Sequence, residues 1–329
     1  AEDWSKRGED ELFNNSSFEG ALQAFNKAID LDPTNATLWL HKAQVHEFMG
    51  DRNLAVGAYE EALNITNENL QKNPDDADAW WTMGVILDSL GRQVEAKESR
   101  ERAAQVYNKT LAGNPEDGEC WFKLAEVLLS LNREDEAIDA YERSIETNSS
   151  KAGVAASTVS NLFANAGRYD EALKASERAL NLTSPDDIRN KKLALWTKGS
   201  ILTMAERPEE ALQAFDEALR LDPEDKMTLM SRADALSDLH RYNESIEAYQ
   251  KVIEQAANDS SNWITNALIG MGDALNATGR RDEALDAYRS LLEVKEMEIE
   301  KNPEDSMAWE SKGRALLKMG QYEEAIEAF

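Results

Sequence analysis

One pattern recurs along the whole 329-residue chain: a large residue, a small one four positions later, a turn, then alanine and an aromatic at helical spacing. Its clearest copy reads Trp39, Ala43, His46, Gly50, Ala55, Tyr59, Ala62. Others read Trp80, Gly84, Leu87, Gly91, Ala96, Ala103, and Trp121, Ala125, Leu128, Asn132, Ala137, Tyr141. Near the end the same order returns as Trp309, Gly313, Leu316, Gly320, Tyr322, Ala325, Phe329. Steps of three and four residues mark one face of a helix, and a glycine between two such faces closes the first helix before a short turn. A chain that repeats grows lengthwise as an array, so its length does not translate into two or three globular domains.

This pattern resembles the tetratricopeptide repeat, which has a Trp or Leu, a Gly or Ala four residues on, and then Ala, an aromatic, Ala and Pro in its second half. Nine repeats in phase start at Ala1, Ala36, Ala77, Gly118, Gly153, Lys192, Lys226, Thr265 and Ser306, the last one cut short. In the fifth, Ala156, Ser160 and Phe163 replace the large first-helix residues, while Gly167, Tyr169, Ala172 and Ala179 keep the frame. The resemblance implies an all-α fold: a right-handed superhelical solenoid of antiparallel helix pairs, continuous over residues 1–329. Its small residues let paired helices approach closely, and no pair buries its apolar face alone.

Repeat starts lie 34 to 41 residues apart. Three repeats carry seven extra residues before Pro74, Pro115 and Pro303. Seven residues are about two helical turns, so those second helices lengthen without losing their face and are expected to protrude as ridges. The linkers repeat as well: Asn73-Pro74-Asp75-Asp76, Asn114-Pro115-Glu116-Asp117, Asp222-Pro223-Glu224-Asp225 and Asn302-Pro303-Glu304-Asp305. Proline stops the preceding helix, and the acids sit where the next helix dipole favours them. Calcium is the alternative use of these carboxylates, but the ligand ladder of a helix-loop-helix site is absent.

With 63 acidic against 36 basic residues the net charge is −27. Such a surface repels phosphate backbones and anionic headgroups, which disfavours nucleic acid and membrane surfaces and favours basic partners. No apolar run is long enough to span a bilayer. Nothing in the chain assembles a catalytic constellation. His46-Glu47 opens like a zinc-protease motif, but Gly50 stands where the second histidine is required. His240 occupies a turn position usually held by glycine, Gly272 is its repeat's own small residue, and Cys120 reads as a neutral thiol. The expectation is a protein without catalytic activity, cofactor or metal.

In the family that this chain resembles, first helices line the concave surface and present ligand contacts from their second, fifth, ninth and twelfth positions. The resemblance places Glu47, Asp78, Trp81, Phe122, Glu126, Trp196, Met227, Met230, Asp234, Ile269, Asp273 and Met307 there. The family's carboxylate clamp uses Lys, Asn and Arg at such positions, whereas Arg314 is the only basic residue here. An acidic groove with apolar anchors suits a basic or amphipathic protein segment. The alternative is that the apolar members pack between repeats and the acids solvate the surface.

Ten Asn-x-Ser/Thr sequons occur, at Asn14, Asn15, Asn35, Asn64, Asn108, Asn148, Asn181, Asn243, Asn258 and Asn276, most of them expected near helix ends. With 23 Asn and 35 Ser plus Thr, chance supplies only about two. The excess points to an exported, glycosylated chain at the cell surface; helix capping, which also draws on Asn, Ser and Thr, is the cytoplasmic alternative. The start at Ala1 fits a mature chain cleaved after a small residue, or a trimmed one. Phe329 falls midway through a second helix at a packing position. That end belongs to a longer array, or it docks on the Trp4 end of another copy to build a filament.

Overall fold

The computed structural model describes residues 1–13, 17–147, 149–184, 186–256 and 261–329. Eighteen α-helices and no strand occur among the described residues. First helices are α1 (Glu2–Phe13), α3 (Ala36–Phe48), α5 (Ala77–Ser89), α7 (Gly118–Ser130), α9 (Ala152–Asn165), α11 (Ile188–Met204), α13 (Lys226–Asp238), α15 (Ser261–Ala277) and α17 (Ser306–Met319). Their partners are α2 (Phe18–Leu31), α4 (Arg52–Lys72), α6 (Gln93–Gly113), α8 (Glu134–Glu146), α10 (Tyr169–Leu182), α12 (Pro208–Leu221), α14 (Tyr242–Gln255), α16 (Arg281–Lys301) and α18 (Tyr322–Ala328). Two compact units divide the chain, Ala1–Ala155 and Ala156–Phe329, with the boundary inside α9. Within each, a helix packs on its partner and then on the first helix of the next pair.

Among the described residues, eight pairs reverse through one residue in the left-handed region. Glycine holds it at Gly50, Gly91, Gly167, Gly279 and Gly320, while Asn132, Glu206 and His240 adopt the same conformation with φ of 57–58°. Six second helices then start on an arginine that makes no side-chain cap. Instead Arg92, Arg133, Arg168, Arg207, Arg241 and Arg280 each grip the glutamate three residues on through two guanidinium nitrogens. That places a carboxylate over the helix N-terminus, where the dipole favours it.

Linker acids cap the helices that follow. Asp76, Asp117 and Asp225 accept from the backbone N–H of Ala79, Cys120 and Thr228 at 2.9 Å, and Asp305 accepts from Ala308 at 3.1 Å. Four tryptophans brace these linkers: the indoles of Trp39, Trp80, Trp121 and Trp309 donate to the carbonyls of Pro33, Pro74, Pro115 and Pro303, six residues back. The spacing is visible in the sequence. The bond appears only once the linker folds back over the helix.

Two expectations change. Helices α4, α6 and α16 are 21 residues long, against 14 in α2, α10, α12 and α14, as the insertions require. Their added turns do not stand free as ridges. Thr66 and Leu70 of α4 are buried, and Leu70 packs with Met83, Leu87 and Ala96 of the next pair. Tyr107 and Leu111 of α6 and Lys295 of α16 are buried too, so these turns thicken the core between pairs. The first helices of the sixth and eighth repeats also start four residues early, at Ile188 and Ser261 rather than Lys192 and Thr265, adding a turn before the repeat frame begins.

Candidate functional site

The first-helix face is built around a tyrosine. In four pairs a tyrosine buried on the second helix sends its hydroxyl across to an acid near the end of the first: Tyr59 to Glu47 at 2.7 Å, Tyr249 to Asp234 at 2.5 Å, Tyr288 to Asp273 at 2.6 Å, and Tyr141 to Glu126. Burial and the neighbouring carboxylate push the Tyr59 hydroxyl up to about 12 and raise Tyr249 and Tyr288 as well, so each stays a proton donor. In the third repeat Arg100 takes the tyrosine's place and pairs with Asp88. Glu47, Glu126, Asp234 and Asp273 occupy positions that the repeat register assigns to ligand contact. The structure makes them hydrogen-bond partners of the core as well.

Two acids are also neutralised from the next repeat. Asp78 receives Lys123 at 2.7 and 2.9 Å and the hydroxyl of Tyr107, and Asp273 receives Lys318 at 2.7 and 2.8 Å. Burial opposes ionisation of Asp78, but the bonds from Lys123 and Tyr107 outweigh it and hold its carboxyl below the ordinary value. Glu47, Glu126 and Asp234 remain exposed. A carboxylate accepts at about four lone-pair positions, so one tyrosine bond leaves acceptor capacity facing solvent.

The apolar positions divide in the same way. Ile269 is buried with Leu268, Leu275 and Tyr288, so it is core and offers nothing to a ligand. Trp196 packs against Leu202, Ala211 and Phe215, and its indole donates to the Ser231 hydroxyl at 2.9 Å, binding two repeats together. Met230 packs against Leu229, Ala233 and Tyr249. Packing between repeats explains these three. Trp81 is half-buried with the Arg100 guanidinium 5.9 Å from its ring centre, Phe122 rests edge-on against Tyr141, and Met227 is half-buried. Met307 is 68% exposed. Trp81, Phe122, Glu47, Asp78 and Glu126 belong to the first unit, and the remaining members to the second.

At one end of the chain Trp4 is half-buried. It packs with Ala28, Ile29 and Leu38, and the Lys27 ammonium lies 4.3 Å from its ring centre. Phe329 is 66% exposed, with one ring edge over Gly313. Cys120 is buried, and burial pushes its thiol up to about 11, which leaves it protonated.

Of the sequon asparagines, Asn14, Asn15, Asn148 and Asn258 lie outside the described residues. Asn64, Asn108, Asn181, Asn243 and Asn276 are exposed, and Asn35 caps α3. Asn64 and Asn108 sit in the middle of α4 and α6 rather than at a helix end. No helix among the described residues is long and apolar enough to cross a membrane.

Four family models match. One described as tetratricopeptide repeat covers residues 75–149 and 226–297, a second covers 160–226 and 269–329, and a third covers 36–69. A model described as TPR repeat covers 10–50. Among curated proteins no sequence match is found. The C-terminal part of a TPR repeat-containing protein from Cytophaga hutchinsonii aligns with 87% of this chain and 99% of its own, at 16% identity and a TM-score of 0.50. YrrB, a TPR protein with an unusual peptide-binding site, aligns with 62% of this chain and 96% of its own, at 21% identity and 0.46. Yeast Tom70 aligns with 99% of this chain and 90% of its own, at 14% identity and 0.41.

Proposed function

The chain belongs to the tetratricopeptide repeat family, and from that premise we propose that it is a protein-interaction scaffold binding basic, amphipathic segments along its first helices. The observation that carries this reading is the set of tyrosine-held carboxylates left open to solvent, Glu47 on α3 and Glu126 on α7 in the first unit and Asp234 on α13 in the second. A carboxylate already fixed by a buried hydroxyl loses little freedom when a lysine or arginine arrives, and such preorganisation favours affinity. Trp81 and Phe122 in the first unit and Met307 in the second supply apolar contact, in a protein whose net charge of −27 attracts cations over a distance.

Arrayed Lys/Arg-rich amphipathic peptides, titrated against the intact protein, test this. Trp81→Ala and Glu126→Gln are expected to weaken the tightest binder by about 2 kcal/mol each, with thermal stability retained. Peptides that bind both variants as tightly as the parent would reject the first-helix site. Trp196→Ala is a poor probe, because its packing across two repeats makes it a stability mutation.

We further propose export and N-glycosylation, supported by the excess of sequons and by the exposure of five of the six described asparagines. Protein isolated from its native source is expected to exceed the 36.8 kDa of the polypeptide; an unmodified mass ends this reading.

A further inference from the structure

A second groove lies on the second unit, on the face of α15 away from its first-helix acid Asp273. Helices α14 and α16 flank a groove of about 920 Å³ whose floor is α15. Ile264, Leu268, Met271 and Leu275 line that floor as a ladder at steps of four, three and four residues on one face of α15; Leu268 and Leu275 are buried in the core beneath, and the half-buried Ile264 and Met271 present the accessible apolar surface. Ile246 and Ile253 form the α14 wall, and Val294 and Met297 the α16 wall. Met297 lies in the turns by which the 21-residue α16 outlasts the 14-residue α14, and it is 54% exposed. Asp273, the first-helix acid of the same pair, sits two residues from both Met271 and Leu275. At 3.6 residues per turn that is about 200° around α15, so one bound segment cannot occupy both faces.

The rim selects the occupant. With the pairs Arg280–Glu283 and Arg289–Asp286 set aside, Glu247 and Glu254 on α14 and Glu293 on α16 outnumber Lys251. Arg280 is already committed to Glu283 at 2.7 Å. An apolar floor beneath an acidic rim repels phosphates, headgroups and a second copy of a chain carrying −27. From Ile264 to Leu275 the ladder rises about 17 Å, the length of three helical turns. We propose that this groove docks a basic amphipathic helix of a partner protein, three turns long, with apolar residues at i, i+4, i+7 and i+11. Met271 and Met297 supply the adaptable, polarizable contacts that helix-binding grooves use.

The test uses the intact protein and a fluorescent synthetic helix of about 14 residues, with Leu at those four positions and Lys or Arg elsewhere. Saturable binding is expected, with affinity about tenfold lower for a scrambled peptide of the same charge. Met297→Glu and, separately, the exposed rim change Glu293→Lys are each expected to weaken the designed helix about tenfold or more, with unchanged helical circular dichroism. The absence of saturable binding, equal affinity for the scrambled peptide, or indifference to both groove variants would overturn the proposal. Loss of binding only on Trp81→Ala or Glu126→Gln would place the peptide on the first-helix face, rejecting the groove while leaving the scaffold reading intact. Loss only on the groove variants would support the groove whatever becomes of the first-helix site.

Discussion

Phe215→Ala is expected to remove about 3–5 kcal/mol of unfolding free energy. The ring is 1% exposed and packs with Leu202, Ala211, Ala214 and Ala235. It also lies over the bare backbone of Gly199, where an added Cβ would come within 2.4 Å of Cε1. Truncation leaves a hole that neither Gly199 nor the surrounding alanines have side-chain volume to fill. In a repeat array each pair contacts only its neighbours, so there is little distant structure to share the loss. Against a total stability of about 5–15 kcal/mol the effect is large, and urea denaturation reads it directly. A change below about 1 kcal/mol would mean that the ring is not a packing centre.

Two glycines at the same repeat position should respond to alanine with opposite signs. Gly272 faces the ring of Tyr288, which is 2% exposed and tied by its hydroxyl to Asp273, with Cε1 2.4 Å from a Cβ built on the glycine. That ring cannot retreat without breaking its hydrogen bond. Gly272→Ala is expected to cost about 1–3 kcal/mol through overpacking, despite alanine's better helix propensity. Gly313 faces Phe329 at 2.8 Å, but Phe329 is 66% exposed and has solvent to move into. There the propensity gain prevails, and Gly313→Ala is expected to stabilise by up to about 1 kcal/mol. Paired thermal melts decide it; equal shifts of the same sign would show that ring mobility does not set the outcome.

Much of the fold was readable because its determinants are short-range. Turn residues at a fixed place in each repeat, proline after the second helix, and small residues at helical spacing define the pairs without reference to distant contacts. His240 shows how far this goes: its place in the repeat frame implied a glycine-like turn, and its φ is 57°. The functional face was legible only as a set of positions. Which acids stay open to a ligand depends on Tyr59, Tyr141, Tyr249 and Tyr288 reaching across from the second helix and on Lys123 and Lys318 reaching back from the next repeat. Ile269 and Met307 both entered the set through the repeat register, yet one is 9% and the other 68% exposed.

The sequence by itself determined the number and phase of the helix pairs, the sites of reversal and the lengthening of three second helices. Periodicity, left-handed turn residues and proline act within a few residues of where they stand. Tertiary structure alone decided that the long helices bury their added turns, that the linker tryptophans fold back onto proline carbonyls, and that a groove opens between α14 and α16. Each of these depends on how closely neighbouring helices approach and which side chains meet across the gap, and no spacing along one chain encodes that distance.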